Sequence, residues 1–151
     1  MRKNIFFSVT ALTILSAAVL AGCGGTATYK DGTYEGKSEV VEYENEDGSD
    51  AGNGYGVVKI TVKDQKISEC TFETYEPDGT KKDENYGKKN GSVAEQDYYN
   101  KAQKAVAACD EYAKMLVQNG SLDGIDAISG ATKNYEQFQD AVRNALESAE
   151  E

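Results

Sequence analysis

The segment Asp126-Ala-Ile-Ser-Gly-Ala-Thr132 sets a threonine hydroxyl at the end of a loop of small residues, just where a helical pattern begins. That arrangement suits a covalently held phosphate. A hydroxyl that is to be esterified must be exposed, and its neighbours must be small enough for a modifying enzyme to envelop the loop. Gly130 and Ala131 meet that need, and Gly130 also permits backbone angles closed to other residues. The product would be a phosphodiester with one negative charge. Backbone N–H groups at the start of the following helix hold such a charge, helped by the helix dipole. Ser129 can add a hydroxyl donor. Asp126 can brace the loop or be read by the modifying enzyme; turned inward, it would repel the phosphate. The plainer alternative is an ordinary loop in which Thr132 caps a helix.

The other residue types narrow the chemistry. There is no histidine in 151 residues, which excludes His-ligated metal sites, haem ligation by histidine and catalytic triads or dyads built on histidine. No Cys-x-x-Cys pair occurs, and the cysteines are Cys23, Cys70 and Cys109. Cys70 and Cys109 both fall on apolar faces, which leaves open two buried thiols or, in an exported protein, a disulfide. Asp47, Asp50 and Asn53 stand in an acidic, glycine-rich stretch, but without EF-hand spacing or a distal bidentate glutamate. A solvated turn is the reading there, and no metal is expected.

The first residues are not part of a fold. Arg2 and Lys3 form a basic start, Ile5 to Leu20 an uncharged apolar run, and Leu20-Ala21-Gly22-Cys23 matches a bacterial lipobox. The run is short for a transmembrane anchor and ends in small residues. The expected organisation is a lipoprotein signal peptide over 1–22, a lipid-anchored tether over 23–28 beginning at Cys23, and one domain over 29–151. Lipid on Cys23 would fix the protein to the outer face of the cytoplasmic membrane, two acyl chains being enough for stable anchoring. Five tether residues after the cysteine reach at most about 18 Å. Removing residues 1–22 takes away Arg2 and Lys3 and leaves 14 Lys+Arg against 26 Asp+Glu, a formal charge of −12. Such a surface is repelled by nucleic acid and by anionic headgroups.

The remaining chain supplies elements to position the loop. Tyr29 to Gly36 is turn chemistry running into a strand that continues over Ser38 to Tyr43. Glu44 to Gly54 is a loop. Val58, Ile60 and Val62 alternate with Lys59, Thr61 and Lys63, the clearest strand, over Gly56 to Lys63. Ile67 to Tyr75 returns antiparallel across Asp64-Gln65, a poorer turn than Asp-Gly. Glu76-Pro-Asp-Gly79 ends the sheet, and Lys81 to Gly91 is loop-like. Ser92-Val-Ala-Glu95 reads as a capping box. Beyond it Tyr98, Ala102, Ala105, Cys109, Tyr112 and Leu116 form a helical stripe, widened by Tyr99, Val106 and Ala113 and closing at Asn119-Gly120. Asn134 reads as the cap of a last helix that buries Tyr135, Phe138, Val142 and Leu146.

Three stretches together resemble FMN-binding domains: Asp31-Gly-Thr-Tyr-Glu-Gly36, the hairpin Gly54 to Ile67, and Ser129-Gly-Ala-Thr132 before a C-terminal helix. The resemblance spans about residues 29–149. It implies an α+β fold, an antiparallel β-sheet with helices packed against it. It implies FMN esterified through its phosphate to Thr132, donated from FAD by a Mg²⁺-dependent flavin transferase, with Asp126, Ser129, Gly130 and Ala131 completing the recognised loop. Gln65 departs from the glycine common at the hairpin turn, and Asn134 from a serine common after the motif. The chain looks like the small extracytoplasmic lipoproteins of this family, which also includes the FMN-carrying C and G subunits of sodium-pumping quinone reductase and Rnf complexes. The expected role is electron transfer, with membrane redox proteins or other flavoproteins as donors and acceptors. A reductase acting on one substrate would instead need a concave pocket, for which Tyr86, Tyr98 and Tyr99 are candidates. A non-redox surface lipoprotein would leave Thr132 unmodified.

Overall fold

The computed structural model describes residues 29–42 and 52–150. The signal peptide, the tether with Cys23, Asp47 and Asp50 lie outside the described residues.

Three antiparallel strands run β1 (Gly32–Lys37), β2 (Tyr55–Lys63) and β3 (Lys66–Tyr75), in the order β1-β2-β3. The alternation read from sequence decides the faces: Val58, Ile60 and Val62 are buried while Lys59 and Lys63 are exposed. Val58 pairs with Gly36 on one side and with Phe72 on the other. Pairing outlasts β1, through Ser38 N–H to the Gly56 carbonyl at 2.9 Å and a bridge from Val41 to Gly54. Near the hairpin the β2–β3 register shifts between Thr61 and Val62, so that Thr61 faces Glu69 and Val62 faces Ile67. Ser68 is the extra residue of this bulge, which returns Ile67 to the buried face.

The hairpin turn shows how a non-ideal pair is accommodated. Asp64 and Gln65 both take positive φ, 53° and 63°, as a type I′ turn demands. The Gln65 N–H donates to Asp31 Oδ1 at 2.8 Å, a bond that holds the turn against the start of β1.

Two helices cover one face of this sheet. α1 (Gln96–Asn119) packs on β3, and α2 (Thr132–Glu150) packs on β1 and β2. α1 ends as read, with Gly120 at φ 72° and its N–H on the Leu116 carbonyl at 2.8 Å. Its start differs. Glu95 occupies the cap position without a side-chain cap bond, and Ser92 instead pairs its backbone with Lys89, so the capping box is not formed. α2 lies very close to the sheet: Ala141, Ala145 and Ala149 are fully buried. A Cβ on Gly36 would stand 2.0 Å from the Ala141 carbonyl oxygen, so only glycine permits this approach. The architecture is a single small α+β domain, a three-stranded antiparallel sheet with two helices on it. No helix among the described residues is long and apolar enough to cross a membrane.

Candidate functional site

Thr132 is the first residue of α2, and it is exposed. The loop before it is built as a tight turn. Ala131 N–H donates to the Ile128 carbonyl at 2.9 Å, and Gly130 takes φ 83° between them. Ala131 is 2% exposed and its carbonyl accepts the Tyr135 N–H at 3.0 Å, so the helix starts from a residue with no side-chain oxygen to cap it. No acidic residue stands in the first turn of α2. The donors and the positive end of the helix dipole thus face outward beside the threonine hydroxyl.

Asn134 does not cap α2. It sits inside the first turn, buried, and its Nδ2 donates to the Ala105 carbonyl at 2.9 Å and to Cys109 Sγ at 3.3 Å. The helix begins three residues earlier than the cap reading placed it, and the amide ties α2 to α1 instead.

The motif loop rests on tyrosines. The Tyr112 hydroxyl accepts the Ile128 N–H at 2.7 Å and donates to the Ala131 carbonyl at 3.3 Å, so one side chain holds both ends of the turn. The Tyr135 hydroxyl donates to the Ile125 carbonyl at 2.5 Å and accepts from Gln139 Nε2 at 2.7 Å. The Tyr112 ring lies 5.6 Å from Tyr135 and 5.4 Å from Phe138, and Phe138 lies 5.0 Å from Phe72 on β3. An aromatic pile therefore runs from the sheet to the underside of the loop. Burial pushes the Tyr112 hydroxyl above its ordinary pKa, so it stays protonated and serves as both donor and acceptor.

A groove of about 550 Å³ opens beside Thr132. Gly130, Ala131 and Thr132 form one side; Ala102, Ala105 and Val106 of α1 form an apolar wall; Tyr86 and Tyr98 line it as well. Lys82, Lys101, Lys104 and Lys133 also line it, and no carboxylate among the described residues does. That is a local reversal in a chain of formal charge −10. Lys82 is buried; its Nζ donates to the Asn53 carbonyl and lies 4.8 Å from the Tyr86 ring centroid. Lys133 pairs with Glu136 at 3.1 Å. Lys104 runs along Gly130, its Cδ, Cε and Nζ 3.6, 3.8 and 3.8 Å from where a Cβ on that glycine would stand.

Ser129 and Asp126 are exposed and do not line the groove. Tyr99 is turned away; its hydroxyl donates to the Glu84 carbonyl at 3.0 Å. The four lysines carried no signal in the sequence. Lys101 and Lys104 flank the α1 stripe at helical spacing, but only the packing of the motif loop against that turn gives them meaning. Cys70 and Cys109 are free thiols, one on β3 and one in α1. Burial raises both pKa values, Cys70 to about 12. No cluster of three or more His, Cys, Asp or Glu residues among the described ones could hold a metal.

The groove fits a planar aromatic ligand with an anionic tail. Its volume suits a drug-sized molecule, its wall is apolar and aromatic, and four lysines line it. Residues 52–147 match the family model described as FMN-binding domain. The fold is similar to the crystal structure of the CPE2226 protein from Clostridium perfringens, with a TM-score of 0.55 and 23% identity over 80% of this chain and 88% of that one. No curated protein matches. With the matched residues taking in the groove, the motif turn and most of both helices, the chain belongs to the FMN-binding domain family and is a flavin-binding protein.

Proposed function

We propose that FMN is joined through its phosphate to Thr132 Oγ1 and that the protein carries electrons at the outer face of the cytoplasmic membrane, anchored there through Cys23. One observation carries the reading: an exposed threonine hydroxyl at a helix start that Ala131 cannot cap, beside a groove lined by four lysines and by no carboxylate among the described residues. Attachment from FAD balances simply. The threonine oxygen forms a bond to the FMN phosphorus, the pyrophosphate P–O bond breaks, AMP leaves, and the hydroxyl proton passes to a base of the Mg²⁺-dependent transferase.

Once bound, FMN supplies one- and two-electron redox chemistry. The chain's own residues supply placement. Tyr112 fixes the turn that presents Thr132, and the α2 N–H groups offer charge to the phosphodiester. Ala102, Ala105 and Val106 offer an apolar wall to a ring. No side chain is needed as an acid or base for carrying electrons, which accords with a chain lacking histidine. Covalent attachment also keeps a cofactor that would otherwise diffuse away outside the cell.

A substrate-specific reductase is favoured by a separate feature. A second cavity of about 760 Å³ lies across Tyr86 and Tyr98, lined by Lys81, Lys88 and Lys89 together with Glu76, Asp78 and Asp83. Saturable turnover of one defined substrate, abolished by filling that cavity, would favour the reductase over the carrier.

The test of attachment is flavin fluorescence retained through denaturing electrophoresis after co-expression with an active transferase. Wild-type protein should fluoresce and Thr132→Ala should be dark. A dark wild type beside a fluorescent control substrate removes the covalent reading. Metabolic lipid labelling that persists in Cys23→Ala would remove the proposed anchor.

A further inference from the structure

We propose that Lys101 and Lys104 make the groove prefer the reduced, negatively charged flavin ring over the oxidised neutral one, and so raise the reduction potential of the bound cofactor. The inference rests on FMN occupying the groove beside Thr132. It goes beyond attachment because it concerns the ring and not the phosphate.

The observations are of charge and place. Lys101 and Lys104 lie one turn apart on α1, both line the groove, and neither has a carboxylate partner among the described residues. The other two lining lysines are already engaged, Lys82 with the Asn53 carbonyl and Lys133 with Glu136. Ala102 and Ala105 stand beside the two lysines on the α1 wall, so cations border one side of the apolar surface on which a ring would lie. The overall charge of −10 acts in the opposite sense, through solvent in which salt screens it.

Reduction places two electrons and one proton on the oxidised ring and leaves one negative charge there. An ammonium group about 6 Å from that charge, in surroundings close to water, favours it about threefold; two together favour it about tenfold. Neither lysine needs to touch the reacting atoms, so both are positioning residues for charge.

Two measurements test this. The first is spectroelectrochemical titration of the flavinylated protein at low salt, with electrons supplied by an electrode through a mediator. Lys101→Gln/Lys104→Gln should lower the two-electron midpoint by the equivalent of about tenfold, about 30 mV, and about 1 M salt should close the gap. Lys114→Gln, an exposed α1 lysine outside the groove, should leave the midpoint unchanged. A double variant matching wild type, or a control that shifts as far, overturns the proposal. The second measurement does not need covalent attachment. Thr132→Ala protein is titrated anaerobically with free oxidised FMN and with free reduced FMN. Reduced FMN should bind about tenfold more tightly, and the ratio should fall to near one when both lysines are replaced. Equal weakening of both forms would place the lysines on the phosphate alone and overturn the proposal. A wild type that gains no covalent flavin counts against the attachment reading, whereas the ratio in Thr132→Ala still decides this one.

Discussion

Tyr112 is the residue on which the candidate site's geometry depends most. It is buried, its ring is stacked in the aromatic pile, and its one hydroxyl satisfies both an N–H and a carbonyl of the motif turn. Tyr112→Phe keeps the packing and removes only those bonds. The expected cost is about 1–3 kcal/mol in a denaturant titration, since two polar groups lose a partner. The variant should also flavinylate more slowly than wild type under limiting transferase, because the turn that presents Thr132 loosens. Unchanged stability together with an unchanged rate would show that the turn holds itself. The sequence placed Tyr112 on a buried stripe, but not at the loop. That contact spans 16 residues and depends on how α1 and α2 cross, which no local pattern encodes. The place of Thr132 at a loop-to-helix junction was legible from its small neighbours and the helical pattern behind it. Asn134 was misread for a related reason: a capping residue type gives no cap when the helix has already begun, and its amide found the Ala105 carbonyl instead.

At the level of elements, the hairpin and both helices were legible because period 2 and period 3.6 are local properties of the chain. β2 and β3 lie within a residue of where alternation set them. The bulge at Ser68 was not legible, since it follows from register with a neighbouring strand. Nor was the closeness of α2 to the sheet. Gly36 reads in sequence as turn chemistry, yet its role is to admit the α2 backbone where any side chain would meet Ala141 and Ala145. Gly36→Ala should therefore destabilise the domain by about 2 kcal/mol or more, because the added methyl meets backbone and not the end of a flexible side chain. Thermal unfolding measures this. A change under about 0.5 kcal/mol would mean that α2 sits farther from β1 than described.

The whole molecule has a direction. The N-terminal segment joins the domain at Tyr29, which is buried, with the Lys30 N–H on the Ala149 carbonyl at 3.0 Å. Thr132 is at the other end of the same 19-residue helix, about 28 Å long. On the proposed reading, the flavin end is therefore remote from the end that receives the lipid tether, and partners would meet it from the side away from the bilayer. Lipid-borne quenchers at the membrane surface should then leave most of the flavin fluorescence of the vesicle-bound protein intact. Strong quenching would show that the domain lies on the membrane with the groove against it. The acidic surface suits that separation, since it is repelled by anionic headgroups while lysines line the groove.

The account turns on the bond at Thr132, and intact mass tests it most directly. Mature protein taken from its native envelope should exceed the polypeptide, after allowance for the mass of any attached lipid, by one FMN less one water. Tandem mass spectrometry should place that increment on the peptide bearing Thr132. A polypeptide mass with no flavin increment, or an increment on another residue, would contradict the central claim.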